Sequence, residues 1–271
     1  MNEGMLSSLP PVTNYRHKKI LELLYQKSVV SAEELANEFG VSKITIRRDL
    51  DALAVDKLLE RTRGGAVIAS NPHLEAMFEE KDNVAKREKR LIGKYAASLV
   101  NEHDTVFLNA GSTTLEVLRH LEGKRVTVVT NNAAALTLDI DPSVELIMLG
   151  GEYRPQSKSL FGELTLVGIR HIFSSITILG INGINLKKGC TSAVYQETTV
   201  NGAMIENSNA RIIVVADHTK MNAASSFLTC PLSKIDLVVT DWLSPKPFLD
   251  ELREAGVRVE VVSDDINASQ V

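Results

Sequence analysis

The amino-acid sequence predicts an α/β protein in two parts, a small helical head at the N-terminus and a larger domain with a mainly parallel sheet. Three observations lead to this prediction. The early residues carry apolar side chains at helical spacing, followed by a basic, glycine-containing hairpin pattern. From residue 105 onward, short apolar segments alternate with helical ones, which is typical of a parallel sheet covered on both faces. A length of 271 residues gives room for one small and one ordinary domain.

The head is predicted to span residues 15–68 and to contain three helices. The first covers residues 15–27, where leucine and isoleucine recur on one side. Ser31 and Glu34 stand three residues apart, as a capping box requires, so a second helix is expected to begin there. Gly40 provides the left-handed backbone conformation that commonly ends a helix.

A third helix is predicted after Ser42, and its two faces differ. The expected buried face consists of Ile46, Leu50 and Leu53. The opposite side carries the candidate DNA contacts Ser42, Lys43, Ile44, Thr45, Arg47 and Arg48. A short basic helix held by its neighbour suits the major groove, where arginine bonds guanine edges or phosphates. An isolated pair of arginines would be interpreted as a solvated helix face. Here the helix caps, the glycine turn and the apolar register occur together, and this combination favours DNA binding.

Residues 59–67 predict two short strands with Gly64 and Gly65 at the bend between them. Arg61 and Arg63 are two positions apart on a strand and therefore point the same way. Both could reach the DNA backbone or the minor groove. Together with the three helices, this hairpin completes a winged helix-turn-helix pattern.

The formal net charge of −4 is unevenly spread along the chain. Residues 1–70 hold ten Lys/Arg and nine Asp/Glu, a net charge of +1, whereas the other 201 residues hold twenty and twenty-five, a net charge of −5. This asymmetry fits a DNA-binding head on an acidic body. Because the positive excess is small, tight binding to double-stranded operator DNA is expected to need two or more heads, in a homodimer or homotetramer.

Several classes of protein do not fit the sequence. Cys190 and Cys230 provide no disulfide framework, and each is expected to be a small buried hydrophobe. The six histidines show no paired metal-ligand spacing, so no metal site is predicted. Nucleotide-binding glycine motifs do not occur, and an aromatic content of 5% argues against a stacking pocket, so no cofactor is predicted. Neither a signal peptide nor a membrane span is predicted, and a cytoplasmic protein is expected.

The larger domain is predicted to cover residues 86–264, after a linker over residues 69–85. Its seven predicted strands are residues 105–109, 125–130, 144–149, 175–180, 210–216, 235–240 and 257–262. Helices are predicted near residues 86–100, 112–121, 162–170, 196–208 and 246–255, with a further one after Asn132. The basic run KREKR at residues 86–90 is interpreted as a solvated helix face. Residues 1–14 and 265–271 are expected to be tails.

Polar residues gather where the predicted strands end. The first strand ends at Asn109, and this residue and the turn after it provide the candidate ligand contacts Asn109, Gly111, Ser112, Thr113 and Thr114. Free N–H groups at a helix N-terminus favour a phosphate or carboxylate, although the same residues also fit an ordinary N-cap. The further candidates are Asn131, Gly151, Glu197, Asp217 and Lys220. Ligands of open parallel sheets bind beyond the carboxyl ends of the strands, so the sequence predicts a site for a small polyhydroxylated anion.

These stretches resemble the DeoR family of bacterial transcription regulators. The head is similar over LANEFGVSKITIRRDLDAL and ERTRGGAV, and the body over FLNAGSTT, VVTNN, LGGEYRPQSKSLFGE, LGINGINLKKGCT and VVADHTKMN. The resemblance implies a winged helix-turn-helix and an effector domain similar in fold to ribose-5-phosphate isomerase and the CoA transferases. It also implies repression of a carbohydrate uptake or catabolism operon, with release by a phosphorylated sugar.

The resemblance further implies roles for particular residues. Phosphate contacts are expected at Gly111, Ser112, Thr113 and Thr114. Sugar or carboxylate contacts are expected around Asn131, Gly151, Glu197, Asp217 and Lys220. The chain departs from the family at Asn109, where family members usually have Asp, so its effector chemistry can differ. An isomerase-like or CoA-transferase-like enzyme with a DNA-binding head is the alternative interpretation, and an architectural DNA-binding protein without a ligand is a third.

Overall fold

The computed structural model describes residues 15–27, 29–55, 59–62, 64–68 and 77–263. The chain divides into two compact units, Met1–Leu74 and Glu75–Val271. The predicted tails, Arg63 and the first part of the predicted linker lie outside the described residues. The fold class is confirmed, with a helix-turn-helix unit followed by a larger α/β unit.

Within its described residues, the smaller unit contains three helices and a three-stranded antiparallel sheet. The helices are α1 (Tyr15–Lys27), α2 (Ala32–Phe39) and α3 (Lys43–Val55), and the strands are β1 (Val29–Ser31), β2 (Leu59–Arg61) and β3 (Gly65–Ile68). The strand order is β1-β3-β2, so the predicted hairpin gains a third strand from the segment before α2. The buried core includes Ile20, Leu21, Leu24, Leu35, Ile46, Leu50, Leu53 and Leu59.

Local hydrogen bonds fix where α2 and α3 begin and end. The Ser31 hydroxyl accepts from the Glu34 amide at 3.0 Å, and the Glu34 carboxylate accepts from the Ser31 amide at 3.1 Å. Gly40 ends α2 in the left-handed conformation, with φ at 62°. The Ser42 hydroxyl then accepts from the Thr45 amide at 3.1 Å and starts α3. The turn that carries the N-terminus of α3 is therefore closed by its own residues.

A buried carboxylate ties α3 to α1. Asp49 accepts from the Arg16 guanidinium at 2.6 and 3.0 Å and lies 3.1 Å from the His17 ring nitrogen. Burial alone would raise the pKa of Asp49, but the bonds from Arg16 and His17 outweigh it and hold that pKa below its usual value. Because the ionised form is the one that is bonded, this contact stabilises the head above the unfolded pKa of about 3.9 and is lost as the pH falls through the lower folded pKa.

We expect Asp49→Ala to destabilise the head by about 2 kcal/mol at pH 7, since buried hydrogen bonds to charged groups are worth this much. The measurement is native-state hydrogen exchange of the α3 amides in the full chain. The matched control is Asp51→Ala on the same helix, whose side chain is 63% exposed and pairs with Arg61. An exposed pair contributes about 1 kcal/mol or less, so equal losses in the two variants would contradict the assignment.

The larger unit is built on seven parallel strands. They are β4 (Thr105–Leu108), β5 (Val126–Thr130), β6 (Val144–Met148), β9 (Ser174–Gly180), β12 (Ser208–Val215), β14 (Leu237–Asp241) and β15 (Arg258–Val262). Their order in the sheet is β15-β14-β12-β9-β4-β5-β6, and all neighbours are parallel. After β4, the next strands β5 and β6 are added on one side of it. After β9, the strands β12, β14 and β15 are added on the other side of the sheet. The switch point of the topology therefore lies between the carboxyl ends of β4 and β9.

Helices cover both faces of this sheet. They are α4 (Phe78–Asn83), α5 (Lys86–Ser98), α6 (Ser112–Arg119), α7 (Glu163–Arg170), α8 (Tyr195–Glu206) and α9 (Lys246–Glu254). Apolar residues of α5 and α6 pack with one set of strand residues, and those of α7, α8 and α9 pack with the other. On β4, for example, Val106 and Leu108 belong to the first core and Phe107 to the second. The unit therefore has three layers, with the sheet in the middle.

The structure adds elements that the sequence pattern did not predict. A hairpin is formed by β7 (Glu152–Arg154) and β8 (Ser159–Phe161), and a small antiparallel sheet by β10 (Gly183–Asn185), β11 (Gly189–Ser192) and β13 (Phe227–Cys230). Strands of three or four residues are too short to show an alternating pattern. The helix predicted after Asn132 is a short 3₁₀ helix, Ala133–Thr137.

Two segments differ from their predicted roles. Residues Phe78–Asn83, which the prediction placed in the linker, instead form α4, and Phe78 is buried in the core of the larger unit. Its amide donates to the Gln156 carbonyl at 2.8 Å, which joins α4 to the turn of the β7–β8 hairpin. The basic run at the start of α5 is not wholly solvated, because Lys89 is buried. In the part of the chain that the structure describes, no helix is both long and apolar enough to cross a membrane.

Candidate functional site

The N-terminal half of α3 presents an exposed basic surface. Arg47 and Arg48 are exposed, and neither makes a hydrogen bond or ion pair with the described residues. Ile44 is 65% exposed. Lys43 lies beside them but is paired with Glu33 of α2 at 2.7 Å. Ile44, Arg47 and Arg48 thus lie on one accessible face, opposite the buried Ile46. Thr45 is half-buried, and its amide and hydroxyl bond the Ser42 hydroxyl instead.

The hairpin arginines are placed differently. The Arg61 guanidinium donates to the Asp51 carboxylate at 2.7 Å and to the Gly65 carbonyl at 2.5 Å, so it joins β2 to α3 and to the bend. Arg61 must leave Asp51, or contact DNA with its remaining N–H groups, to act as predicted. Arg63 lies outside the described residues.

A second candidate site is a cavity of about 50 Å³ at the switch point of the larger sheet. It is lined by Phe78, Lys81, Lys89, Ala110, Gly111, Ser112, Thr113, Ser157, Gly180, Ile181, Asn182, Glu197 and Lys220. The first turn of α6 therefore contributes to the wall, and Gly111 caps this helix without a side-chain bond. The N–H groups of that turn leave a positive helix end at the cavity. A water needs about 10–15 Å³, so a cavity of this volume holds about four waters.

Three lysines and one glutamate line this cavity. The Lys89 side chain is 4% exposed, donates to the Lys81 carbonyl, and has its Nζ 3.9 Å from Asp217 Oδ2. Burial lowers the pKa of Lys89 to about 8, while the Asp217 carboxylate acts in the opposite direction. Lys81 and Lys220 add two further positive charges at the wall. Positive charge that is held away from water suits the binding of an anion.

Three predicted contacts lie behind the wall and hold it in place. Asn109 accepts from the Gly180 amide at 2.8 Å and donates to the Gly180 carbonyl at 2.9 Å and to Asn201 at 3.0 Å. It therefore joins the ends of β4 and β9 across the switch point. Asn131 accepts from the Ala110 amide at 2.9 Å. The Thr114 hydroxyl donates to the Asn109 carbonyl at 2.7 Å.

We expect Asn109→Asp to destabilise the larger unit by about 1–2 kcal/mol, because a carboxylate has no donor for the Gly180 carbonyl. The cost should shrink at acidic pH, where the new carboxyl group is protonated and can donate. Urea unfolding followed by the fluorescence of Trp242 measures the change. An unchanged unfolding midpoint at pH 7 would show that the bond to Gly180 does not hold the two strand ends together.

Asp217, Glu197 and Gly151 occupy three different positions. Asp217 is fully buried outside the lining, and Lys220 and Lys89 keep its pKa low against the opposing effect of burial. Glu197 is in the lining and accepts from the Ser192 hydroxyl at 2.7 Å. Gly151 is not in the lining, and a side chain at this position would collide with the Thr165 hydroxyl and the Phe161 carbonyl.

Lys81 and Lys89 were not among the predicted contacts. Lys89 precedes Ile92 by three residues and Ala96 by seven, so it falls on the buried stripe of α5. That spacing was the available signal, but the surrounding KREKR run was interpreted as solvated. Ser157 comes from the turn of the unpredicted β7–β8 hairpin. Among the described residues there is no group of three or more His, Cys, Asp or Glu side chains that could hold a metal ion.

Comparison with known proteins agrees with both parts of this architecture. Residues 16–71 match the DeoR-like helix-turn-helix domain, and residues 84–242 match the DeoR C terminal sensor domain. The second match alone covers more than half of the chain. The chain belongs to the DeoR family. DeoR-family membership makes it a DNA-binding protein of transcription regulation, with its sensor domain in the larger unit.

Several curated relatives of this DeoR-family chain are named as repressors. It is 33% identical over 249 residues to the glycerol-3-phosphate regulon repressor of Escherichia coli strain K12, covering 91% of this chain and 98% of that one. It is 30% identical over 247 residues to the HTH-type transcriptional repressor GlcR of Bacillus subtilis strain 168, covering 91% and 95%. These names point to a transcriptional repressor rather than an enzyme.

Among solved structures, ribose 5-phosphate isomerase A from Neisseria gonorrhoeae is similar at a TM-score of 0.35 and 16% identity, covering 49% of this chain and 52% of that one. A likeness of this size supports no conclusion about the DeoR-family chain. The fold relationship to the isomerase stays a prediction.

Proposed function

We propose that this DeoR-family chain represses a carbohydrate uptake or catabolism operon and is released from its operator by a phosphorylated sugar bound in the cavity at the switch point. The observation that carries the effector part of the proposal is the buried Lys89 beside the uncapped N-terminus of α6. A phosphate group satisfies both features, because it accepts from backbone N–H groups and pairs with lysine.

The sugar part of the effector is expected to contact the polar side chains around the phosphate. Glu197 accepts hydrogen bonds from hydroxyl groups, and Asn182 lies beside it in the lining. Of the predicted contacts, Gly111, Ser112, Thr113, Glu197 and Lys220 keep a direct role in this proposal. Asn109, Asn131, Thr114 and Asp217 position the wall instead.

The DNA part of the proposal places α3 in the major groove, with Arg47 and Arg48 as its main contacts. A homodimer or homotetramer supplies two heads for a repeated or palindromic operator. The subunits can be arranged in a way that fits the operator or in a way that does not. An effector that binds more tightly to the second arrangement lowers the affinity of the protein for the operator by linkage. The names of the repressor relatives support the same direction of control.

The deciding experiment measures the release of a fluorescent operator duplex from the full-length protein by a panel of phosphorylated sugars. The operator is taken from the DNA upstream of the gene and of its neighbours. Each compound is paired with its unphosphorylated sugar as a matched control. We expect one phosphorylated compound to release the DNA and its unphosphorylated partner to have no effect. Equal release by both members of a pair would contradict a phosphate site.

We expect the affinity for the phosphorylated effector to fall as the pH rises above about 8, because Lys89 loses its proton near that pH. The decrease should approach tenfold per pH unit for one titrating group. A phosphate monoester is already doubly charged above pH 7, since its second pKa is about 6, so its own titration does not interfere. Isothermal titration calorimetry between pH 7 and 9.5 measures the effect. Affinity that is constant across this range would exclude Lys89 as the phosphate partner.

A further inference from the structure

Two buried thiols face each other on neighbouring strands of the larger unit. Cys190 on β11 and Cys230 on β13 are direct partners in the antiparallel register. Both are buried, Cys190 completely and Cys230 to 4% exposure. Opposed residues on antiparallel strands have Cα atoms about 4.5–5.5 Å apart, which lies within the range of about 4.4–6.8 Å that a disulfide spans. The register therefore holds the pair close enough for a disulfide without moving the strands.

The two thiols are chemically unequal. The hydrogen bond between them, together with burial, raises the pKa of Cys190, whereas the same bond and the charge of Lys234 lower the pKa of Cys230. Burial opposes the lowering at Cys230, but the bond from Cys190 outweighs it, so Cys190 acts as the donor and Cys230 is the first of the two thiols to lose its proton. The thiolate is the reactive form of cysteine, so Cys230 is the nucleophile of the pair.

We propose that Cys190 and Cys230 form a redox-active dithiol, which a hydroperoxide converts into an intramolecular disulfide. The Cys230 thiolate attacks a peroxide oxygen, the O–O bond breaks, and a sulfenic acid forms as hydroxide leaves and takes up a proton to give water. The Cys190 sulfur then attacks the sulfenic sulfur, the S–S bond forms, and the S–O bond breaks with release of a second water. With hydrogen peroxide, the two thiols lose two electrons and two protons in total, and the peroxide becomes two waters.

The strand that carries Cys190, β11, leads to the wall of the cavity. Ser192 follows Cys190 by two residues, and its hydroxyl oxygen lies 2.7 Å from a Glu197 carboxylate oxygen and 2.9 Å from the Asn182 amide oxygen, both of which belong to residues that line the cavity. The register between β11 and β13 shifts directly after the pair. A disulfide would fix the spacing of the two strands at this irregular point, immediately before β11 reaches the wall of the cavity.

The test uses the full-length protein in its reduced form. It is exposed to hydrogen peroxide, alkylated with N-ethylmaleimide in denaturant, digested and analysed by mass spectrometry. We expect the peptide that contains Cys190 to be linked to the peptide that contains Cys230 within one chain, and the link to disappear after dithiothreitol. Recovery of both cysteines as alkylated thiols, as separate oxidised acids, or as cross-links between chains would overturn the proposal.

Two single variants separate the roles of the cysteines. Under the same exposure, Cys190→Ser, whose hydroxyl keeps a donor for the Cys230 sulfur, is expected to leave Cys230 as a sulfenic acid that dimedone traps, and Cys230→Ser to leave Cys190 reduced. The disulfide closes a loop of about 40 residues, so oxidised wild-type protein should melt several degrees higher than the reduced protein. Equal dimedone labelling of the two variants, or an unchanged melting temperature on oxidation, would contradict the proposed pair.

Discussion

Replacing both Arg47 and Arg48 with alanine is expected to weaken operator binding by about 100-fold or more, because a specific arginine contact to a base is worth about 1–3 kcal/mol. Both side chains are exposed and make no bond with the described residues, so their loss should leave the head folded. Fluorescence anisotropy with the operator duplex measures the affinity. Circular dichroism checks that the helices remain.

A matched control removes the same amount of charge elsewhere. Arg90 and Lys94 are exposed residues of α5 in the larger unit, and Arg90→Ala with Lys94→Ala should change operator affinity far less. This control separates a specific contact from a general loss of positive charge. If the Arg47 and Arg48 double variant binds operator like the wild type, or no worse than the control, α3 is not the recognition helix.

Lysine variants at the same two positions distinguish base reading from phosphate contact. Arg47→Lys and Arg48→Lys keep both charges but remove the planar fork of donors that matches a guanine edge. If the arginines read bases, the lysine variant should lose preference for the operator over random DNA. If they contact phosphates, the preference should persist, and the alanine variant should reduce the salt dependence of binding by about one unit of slope per residue.

The head could be predicted almost completely, because its structure is determined by signals that are local in sequence. The capping box of Ser31 and Glu34, the left-handed Gly40 and the Ser42 cap are each readable from a few residues, and each is present in the structure. The sequence did not predict which partner each charged side chain contacts. Asp49 was not assigned a partner, yet it joins α3 to α1, because that contact depends on how the helices cross.

The sequence predicted at which edge of the sheet the candidate site lies, but not which side chains line it. Polar residues at strand ends identified the edge of the sheet, since that rule depends only on strand direction. Whether a side chain faces the cavity or its support depends on packing. Asn109 and Thr114 turn inward to bond the loop, and Lys89 arrives from a helix that precedes the sheet in sequence. The β7–β8 hairpin adds Ser157 from a segment with no strand period.

Replacing Lys89 with methionine is expected to give a repressor that binds operator normally but needs a much higher concentration of the phosphorylated effector for release. Methionine has about the same length and no charge, so the cavity keeps its shape and loses its buried positive group. A charge-assisted contact to an anion in a buried site is worth about 2–3 kcal/mol, so effector affinity should fall by about 30- to 150-fold. The measurement is the effector concentration that releases half of the bound operator.

Lys94→Met is the matched control, because Lys94 lies on the same helix and is exposed. Its release curve should overlay that of the wild type. A release curve of Lys89→Met that also overlays the wild type would remove Lys89 from the effector site. The pH dependence of effector affinity should vanish in Lys89→Met and persist in Lys94→Met, since only the first lacks the group that titrates near pH 8.

The Lys89 variant also leaves Asp217 buried without its nearest cation, and this has to be separated from the loss of an effector contact. Asp217 Oδ2 has no hydrogen bond to the described residues, so its charge is balanced through Lys89 and Lys220. Unpairing a buried charge costs about 3–5 kcal/mol, and Lys89→Met should therefore lower the stability of the larger unit. Adding Asp217→Asn removes the unpaired charge and should restore stability without restoring release. Recovery of both properties in the double variant would mean that Lys89 acts only on the fold, whereas recovery of stability alone identifies it as a contact of the anion.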